Sequence, residues 1–75
     1  MYTVLSSPNC KWCLKAEALL GDEGLPYVTY DISKPENKLR REMLKRDGLR
    51  TVPQVYSPDD DHIGGYGDLV TYLSP

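Results

Sequence analysis

The chain has 75 residues, of which 40% are hydrophobic and 27% are charged, and its formal net charge is -2. This length and composition predict one globular domain over residues 1–75. The chain lacks the excess of basic residues that is typical of proteins binding nucleic acid or anionic membranes. No segment approaches the ~18 apolar residues of a membrane span. The first residues, MYTVLSSPNC, lack the basic and apolar regions of a secretory signal, so we expect a cytoplasmic protein.

The first half of the chain predicts a strand, a helix and a second strand. Residues 2–6 are rich in strand-forming side chains. A helix is predicted from Lys11 to the break at Gly21, because apolar residues recur at spacings of three and four: Cys13, Ala16 and Leu20. Residues 27–32 read as the second strand. Since a helix joins two strands within about 30 residues, we expect these strands to be parallel and joined by a right-handed crossover.

The next segment predicts a second helix. Ser33 and Glu36 have the spacing of a capping box, and Pro35 lies in the first turn. A buried stripe is expected at Leu39, Met43 and Leu44. Gly48 is expected to end the helix.

The last third of the chain predicts a hairpin and a short helix. Residues 54–56 and 62–64 have strand character, and the sequence SPDDD between them favours a turn. A last helix is expected around the apolar residues Leu69, Tyr72 and Leu73. The predicted order is therefore β-α-β-α-β-β-α, which belongs to the α/β class.

The only two cysteines, Cys10 and Cys13, lie at the start of the first predicted helix. Free N–H groups at a helix N-terminus stabilise a thiolate and lower a cysteine pKa from ~8.5 to about 3.5–7.5. Cys10 is therefore the predicted nucleophile. Cys13, one turn deeper on the same face, lies near the ~5.5–6 Å Cα separation of an unstrained disulfide and is the predicted resolving cysteine. Lys11 adds a positive charge beside the thiolate, and Trp12 adds an apolar, partly exposed surface.

A cysteine pair at this spacing has three possible roles: redox exchange, metal binding or none. A structural bridge contributes little, because the loop that it closes is very short. A zinc site needs four ligands, and beyond the cysteines the chain offers only His62 and scattered carboxylates. We therefore favour a redox dithiol over a metal site or inert thiols.

Three motifs together resemble the glutaredoxin family, particularly the small phage-encoded members. They are CKWC at 10–13, TVPQ at 51–54 and GGYGDL at 64–69. The resemblance extends over nearly the whole chain. It implies a thioredoxin-like fold, with a four-stranded mixed sheet flanked by three helices.

The resemblance also implies which residues act. Cys10 and Cys13 are the catalytic pair, and the bond between Val52 and Pro53 is cis, so that the Val52 backbone pairs with a bound peptide as an added strand. The start of the last helix, with Asp68, receives the zwitterionic γ-glutamyl end of glutathione. The residues expected to bind glutathione are Lys11, Trp12, Arg40, Thr51, Val52, Pro53, Gly65, Tyr66, Gly67 and Asp68.

Some positions have a second interpretation. Arg40 lies where glutaredoxins carry a side chain that reaches the glycyl carboxylate, and its alternative is a solvated helix charge. Ser7 stands where glutaredoxins commonly have a lysine, so that contact is absent or supplied by Arg40 or Lys11. His62, next to a turn, is interpreted as a solvated strand residue and not as a catalyst. A cluster of basic residues is interpreted as the solvated face of the second helix: Lys38, Arg40, Arg41, Lys45, Arg46 and Arg50.

The resemblance therefore predicts a glutathione-dependent dithiol–disulfide oxidoreductase. Glutathione is its co-substrate, no metal or organic cofactor is required, and the protein is expected to be a monomer. The clients are proteins with disulfides, among which the resemblance suggests ribonucleotide reductase. Three alternatives stay open: a redoxin recharged by thioredoxin reductase, a dimer that shares a 2Fe–2S cluster with two glutathiones, and a regulatory binding module.

Overall fold

The structure is a computed structural model that describes all residues from Met1 to Pro75. The elements are β1 (Tyr2–Ser6), α1 (Lys11–Asp22), β2 (Tyr27–Asp31), a 3-10 turn (Pro35–Asn37), α2 (Lys38–Arg46), β3 (Gln54–Tyr56), β4 (His62–Gly64) and α3 (Tyr66–Leu73). The predicted order of strands and helices is confirmed. None of the helices has the length and the apolar character that crossing a membrane requires.

The four strands form one mixed sheet in the order β2-β1-β3-β4. β1 runs parallel to β2, as the helical crossover predicts, and antiparallel to β3. β3 and β4 form the predicted antiparallel hairpin. The carboxyl end of the central strand β1 therefore leads directly into the cysteine motif at the start of α1, while the turn into β3 lies next to it in the sheet.

Two helices cover one face of the sheet and form the main core. Val4 and Val55 are paired across β1 and β3 and are fully buried. Ala16 and Leu20 of α1 and Leu69 of α3 pack into the same cluster and are also fully buried. Because side chains alternate along a strand, Leu5 points to the opposite face, where α2 lies.

The predicted capping box at the start of the second helix is wrong. Ser33 donates both its N–H and its hydroxyl to Oδ1 of Asp31, at 2.9 and 2.6 Å. These hydrogen bonds lower the pKa of Asp31 and keep Ser33 in a turn at the end of β2. The helical segment therefore begins one residue later, from Lys34, whose side chain makes no capping hydrogen bond.

The predicted buried stripe of α2 is also wrong in part. Leu44 is 3% exposed, but Leu39 is 82% and Met43 is 38% exposed. The guanidinium of Arg40 lies 3.6 Å above the ring of Tyr30 and covers sheet surface that the stripe was expected to cover. An open cavity of about 550 Å³ separates Leu39 and Met43 from the sheet. α2 ends at Arg46, and Gly48, which was predicted to end it, follows the C-cap residue Asp47 with a φ of +72°.

Candidate active site

Cys10 is the residue that begins α1. The chain turns at Asn9, which has a φ of +59°, and leaves Cys10 extended as the N-cap of the helix. The sulfur of Cys10 accepts a hydrogen bond from the backbone N–H of Cys13 at 3.1 Å. The sequence predicted this position, and the N–H of Cys13, one of the free donors of the first turn, points at the sulfur and stabilises negative charge there.

Cys10 and Cys13 are joined by a disulfide, with their Cα atoms 5.2 Å apart. Their surroundings differ. Cys13 is 2% exposed, whereas Cys10 is partly exposed. An incoming sulfur can therefore reach Cys10, and Cys13 can reach only Cys10. No group of three or more histidine, cysteine or acidic side chains in the structure is arranged to hold a metal ion.

The turn before β3 lies against the dithiol. The Val52–Pro53 peptide bond is cis, as the resemblance implied, and Pro53 is buried. The carbonyl oxygen of Val52 is 3.8 Å from the sulfur of Cys10. The N–H of Val52 has no hydrogen-bond partner within the chain. An unpaired backbone donor beside a reactive sulfur is able to pair with an extended peptide.

A groove of about 450 Å³ runs beside the dithiol. Its wall is aromatic, because the ring centroids of Trp12 and Tyr66 are 5.5 Å apart, and Trp12 is 47% exposed. The ammonium groups of Lys11 and Lys15 lie 5.6 and 5.0 Å from the Trp12 ring centroid. The residues that line the groove are Trp12, Thr51, Val52, Pro53, Gly65, Tyr66 and Gly67. All of them belong to the predicted glutathione-binding set, which the fold brings together from three distant segments.

Asp68 lies in the first turn of α3, next to the groove residues Gly65 and Gly67. Its Oδ2 accepts the N–H of Gly65 at 3.1 Å. Gly64 makes this possible, since its φ is +123° and a Cβ at this position would lie 2.8 Å from Cγ of Asp68. By contrast, a Cβ at Gly67 would meet nothing within 4 Å. The sequence motif pointed to the glycines as a group, and only the structure shows that Gly64 is the one that the carboxylate requires.

Three predicted contacts do not line the groove: Lys11 and Asp68 adjoin residues that do, whereas Arg40 lies away from it. Arg40 belongs to α2, its guanidinium lies on Tyr30, and it lines the cavity between α2 and the sheet. A different basic cavity of about 540 Å³ adjoins the groove, because Thr51 and Val52 line both. It is lined by Ser7, Ile32, Arg41, Leu44, Lys45, Gly48, Leu49, Arg50, Thr51 and Val52.

This cavity carries three cationic side chains and no carboxylate. Arg41 is held in place by a hydrogen bond from Nη1 to the carbonyl oxygen of Ile32 at 2.9 Å. The sequence by itself predicts that Arg41, Lys45 and Arg50 belong to a solvated helix face. Their convergence beside Val52 depends on how α2 and the following loop return to the sheet, which no local pattern shows.

Comparisons with known proteins agree with this geometry. A family model described as Glutaredoxin matches residues 1–63. Glutaredoxin 3 of Escherichia coli (strain K12) is 39% identical over 66 residues, which cover 88% of this chain and 77% of that protein. The crystal structure of a buckwheat glutaredoxin–glutathione complex has a TM-score of 0.79 and 26% identity, covering 93% of this chain and 64% of the buckwheat chain.

NrdH-redoxin from Escherichia coli is a further structural neighbour. It is described as a glutaredoxin-like protein with a thioredoxin-like activity profile. Its TM-score is 0.79 at 20% identity, covering 99% of this chain and 95% of that one. At this identity the likeness shows the fold alone.

Proposed function

Because the chain belongs to the glutaredoxin family, we propose that it reduces protein disulfides and mixed disulfides with electrons from glutathione. The general activity, thiol–disulfide exchange at Cys10 and Cys13, is that of the family. We propose in addition that glutathione supplies the electrons and that the clients are protein disulfides and mixed disulfides.

The reaction proceeds by two exchanges at Cys10. The Cys10 thiolate attacks one sulfur of the client disulfide, the other client sulfur leaves as a thiolate, and a mixed disulfide forms. Cys13 then attacks Cys10, which releases the second client thiol and leaves the Cys10–Cys13 disulfide that the structure contains. One glutathione opens this disulfide and a second removes the first as glutathione disulfide, so that two glutathiones supply the two electrons.

The observation that carries the proposal is the groove at Cys10, with an unpaired backbone donor on Val52. Glutathione is a short peptide, and its cysteinyl backbone is able to pair with Val52 while its sulfur faces Cys10. Its γ-glutamyl end then lies at the start of α3, where free N–H groups suit a carboxylate and Asp68 suits an ammonium. The buckwheat protein, whose structure contains glutathione, has the same fold.

For the glycyl carboxylate we propose the basic cavity beside Val52. Arg41 and Arg50 present planar guanidinium groups, which bind a carboxylate through paired hydrogen bonds. We prefer these arginines to Arg40, because Arg40 lies on Tyr30 and lines a different cavity. This assignment also accounts for Ser7, which lines the basic cavity and leaves room that a lysine would occupy.

Turnover with alternative reductants tests the proposal. Reduction of a glutathionylated peptide is followed with glutathione and glutathione reductase, and separately with thioredoxin reductase. We expect turnover with glutathione, its loss in Cys10→Ser, and retention of peptide deglutathionylation in Cys13→Ser, because the first exchange does not need the second thiol. Turnover with thioredoxin reductase alone would contradict the glutathione proposal and favour the redoxin alternative.

Two further measurements address the remaining alternatives. We expect freshly purified protein to be monomeric and to have no visible absorbance, whereas a shared 2Fe–2S cluster would give a coloured dimer. Ribonucleotide reductase is proposed as a client on the resemblance to phage-encoded glutaredoxins, and its oxidised form is the substrate to assay. If the protein were a regulatory module, the wild-type protein would show no turnover, and the Cys10→Ser variant would bind the partner as tightly as the wild type.

A further inference from the structure

A buried amide lies directly behind the Val52 edge of the groove. Gln54 is the first residue of β3 and is 5% exposed. Its Nε2 donates to the carbonyl oxygen of Thr51 at 2.9 Å and lies 3.3 Å from the Thr51 hydroxyl. Its Oε1 lies 2.7 Å from Nε2 of His62. Because a buried amide is costly without partners, these contacts determine where the Gln54 side chain points.

The direction of each hydrogen bond follows from the chemistry of the atoms. The carbonyl oxygen of Thr51 can only accept, so the amide nitrogen of Gln54 faces it and the amide oxygen faces His62. His62 must then donate through Nε2–H. Both the Nε2–H tautomer and the imidazolium have this donor, and only the Nδ1–H tautomer lacks it.

His62 reaches Gln54 from the neighbouring strand. His62 is exposed, as its position next to a turn predicts, and its ring rests against Tyr56 with the ring centroids 5.2 Å apart. The register between β3 and β4 is irregular at Val55 and Tyr56. His62 is therefore not only a solvated strand residue, because the hairpin holds its Nε2 against the buried amide.

We propose that His62 is a positioning residue for client binding, which acts through the Gln54 amide on Thr51 and Val52. This inference rests on the proposed pairing of a client backbone with Val52. Without the donor on His62, the Gln54 amide loses the partner of its oxygen and is free to rotate away from Thr51. The Thr51 carbonyl then loses its donor, and the adjacent Val52 N–H is no longer held in one direction.

The thiol chemistry is expected to be independent of this relay of His62, Gln54 and Thr51, since none of the three makes a hydrogen bond to either cysteine. A positioning role therefore predicts weaker binding of a peptide disulfide at an unchanged rate of sulfur exchange. A purely structural role of His62 predicts instead that all substrates are affected alike.

His62→Phe tests the relay, because phenylalanine keeps a ring against Tyr56 and removes the donor. Reduced protein, freed of reductant, is mixed with a blocked peptide disulfide-linked to thionitrobenzoate, and release of the coloured thiolate is followed over a single turnover. We expect the half-saturating peptide concentration to rise about fivefold, the effect of one lost hydrogen bond, with the limiting rate changed less than about twofold. Dithiobis(nitrobenzoate), which has no peptide backbone, should react at the wild-type rate.

Two variants sharpen the test. His62→Gln can place an amide donor near the same point and should recover most of the peptide binding. In a Gln54→Met background, His62→Phe should have no further effect, because the relay is already broken. An unchanged half-saturating concentration in His62→Phe, or an equal loss of reaction with both disulfides, overturns the proposal.

The tautomer of His62 gives a test that needs no variant. Nitrogen NMR of the imidazole in the wild-type protein should show a proton on Nε2 at neutral pH, and an Nδ1–H tautomer overturns the proposal. Because glutathione is absent from these experiments, their failure is distinct from a failure of glutathione-dependent turnover.

Discussion

Replacement of Gly64 by alanine should destabilise the protein more than replacement of a neighbouring glycine. The φ of Gly64 is +123°, outside the regions that a residue with a Cβ adopts readily. A Cβ there would also lie 2.8 Å from Cγ and 2.9 Å from Cβ of Asp68. Asp68 must then move, and its hydrogen bond to the N–H of Gly65 is lost.

The size of the effect follows from these two contributions. A strained positive φ costs about 1–2 kcal/mol for an ordinary residue. Loss of a side-chain acceptor at a helix start costs about 0.5–2 kcal/mol. We therefore expect Gly64→Ala to lower the free energy of unfolding by about 1.5–4 kcal/mol, a large share of the ~3–5 kcal/mol that one core of this size supplies.

Equilibrium unfolding in urea measures this difference, with two variants for comparison. Gly67→Ala adds a Cβ that meets nothing within 4 Å, so it should be neutral or stabilising by up to ~1 kcal/mol because alanine favours the helix. Asp68→Ala removes only the hydrogen bond and should cost about 0.5–2 kcal/mol. If Gly64→Ala costs less than about 0.5 kcal/mol, or no more than Gly67→Ala, the assignment of strain to Gly64 is refuted.

Three further predictions concern the sulfur, the core and the acid stability. Alkylation of the reduced protein should be half-maximal at Cys10 well below pH 8.5, because the helix N-terminus stabilises its thiolate, and a midpoint near ~8.5 would contradict this. Leu20→Ala should lower the free energy of unfolding by about 2–5 kcal/mol, whereas Leu39→Ala should change it by less than about 0.5 kcal/mol; equal losses in urea unfolding would restore the predicted buried stripe. The pKa of Asp31 is lowered by hydrogen bonds from Ser33, so its contribution is present above the unfolded pKa of ~3.9 and is lost as pH falls through the lower folded value. Asp31→Asn should therefore flatten the acid limb of a stability–pH curve, and an unchanged limb would contradict the prediction.

The order of the elements could be predicted from local sequence. Strand composition, helical spacing and turn residues act within a few positions, and they predicted β1, α1 and the hairpin correctly. The position of Cys10 at the start of α1 was predictable for the same reason, since one turn of helix determines it. The cis bond before Pro53 and the groove residues could be predicted only from the resemblance of the three motifs to a known family.

The errors lie where one local signal competes with a contact elsewhere. Ser33 has the spacing of a capping residue, but Asp31 two positions earlier binds it first. Leu39 has the spacing of a buried residue, but Arg40 of α2 stacks on Tyr30 of β2, and Leu39 itself is exposed. In each case the local spacing was correctly recognised, but the side chain does not make the contact that this spacing usually indicates.

By itself the sequence determined the succession of strands and helices and placed a reactive cysteine at a helix start, because both depend on neighbours along the chain. Only the tertiary structure decided which cations adjoin Val52, which glycine makes room for Asp68, and that Nε2 of His62 lies against the Gln54 amide. These contacts join residues from different elements. The sheet register and the placement of the helices determine them, and no periodicity within one segment contains that information.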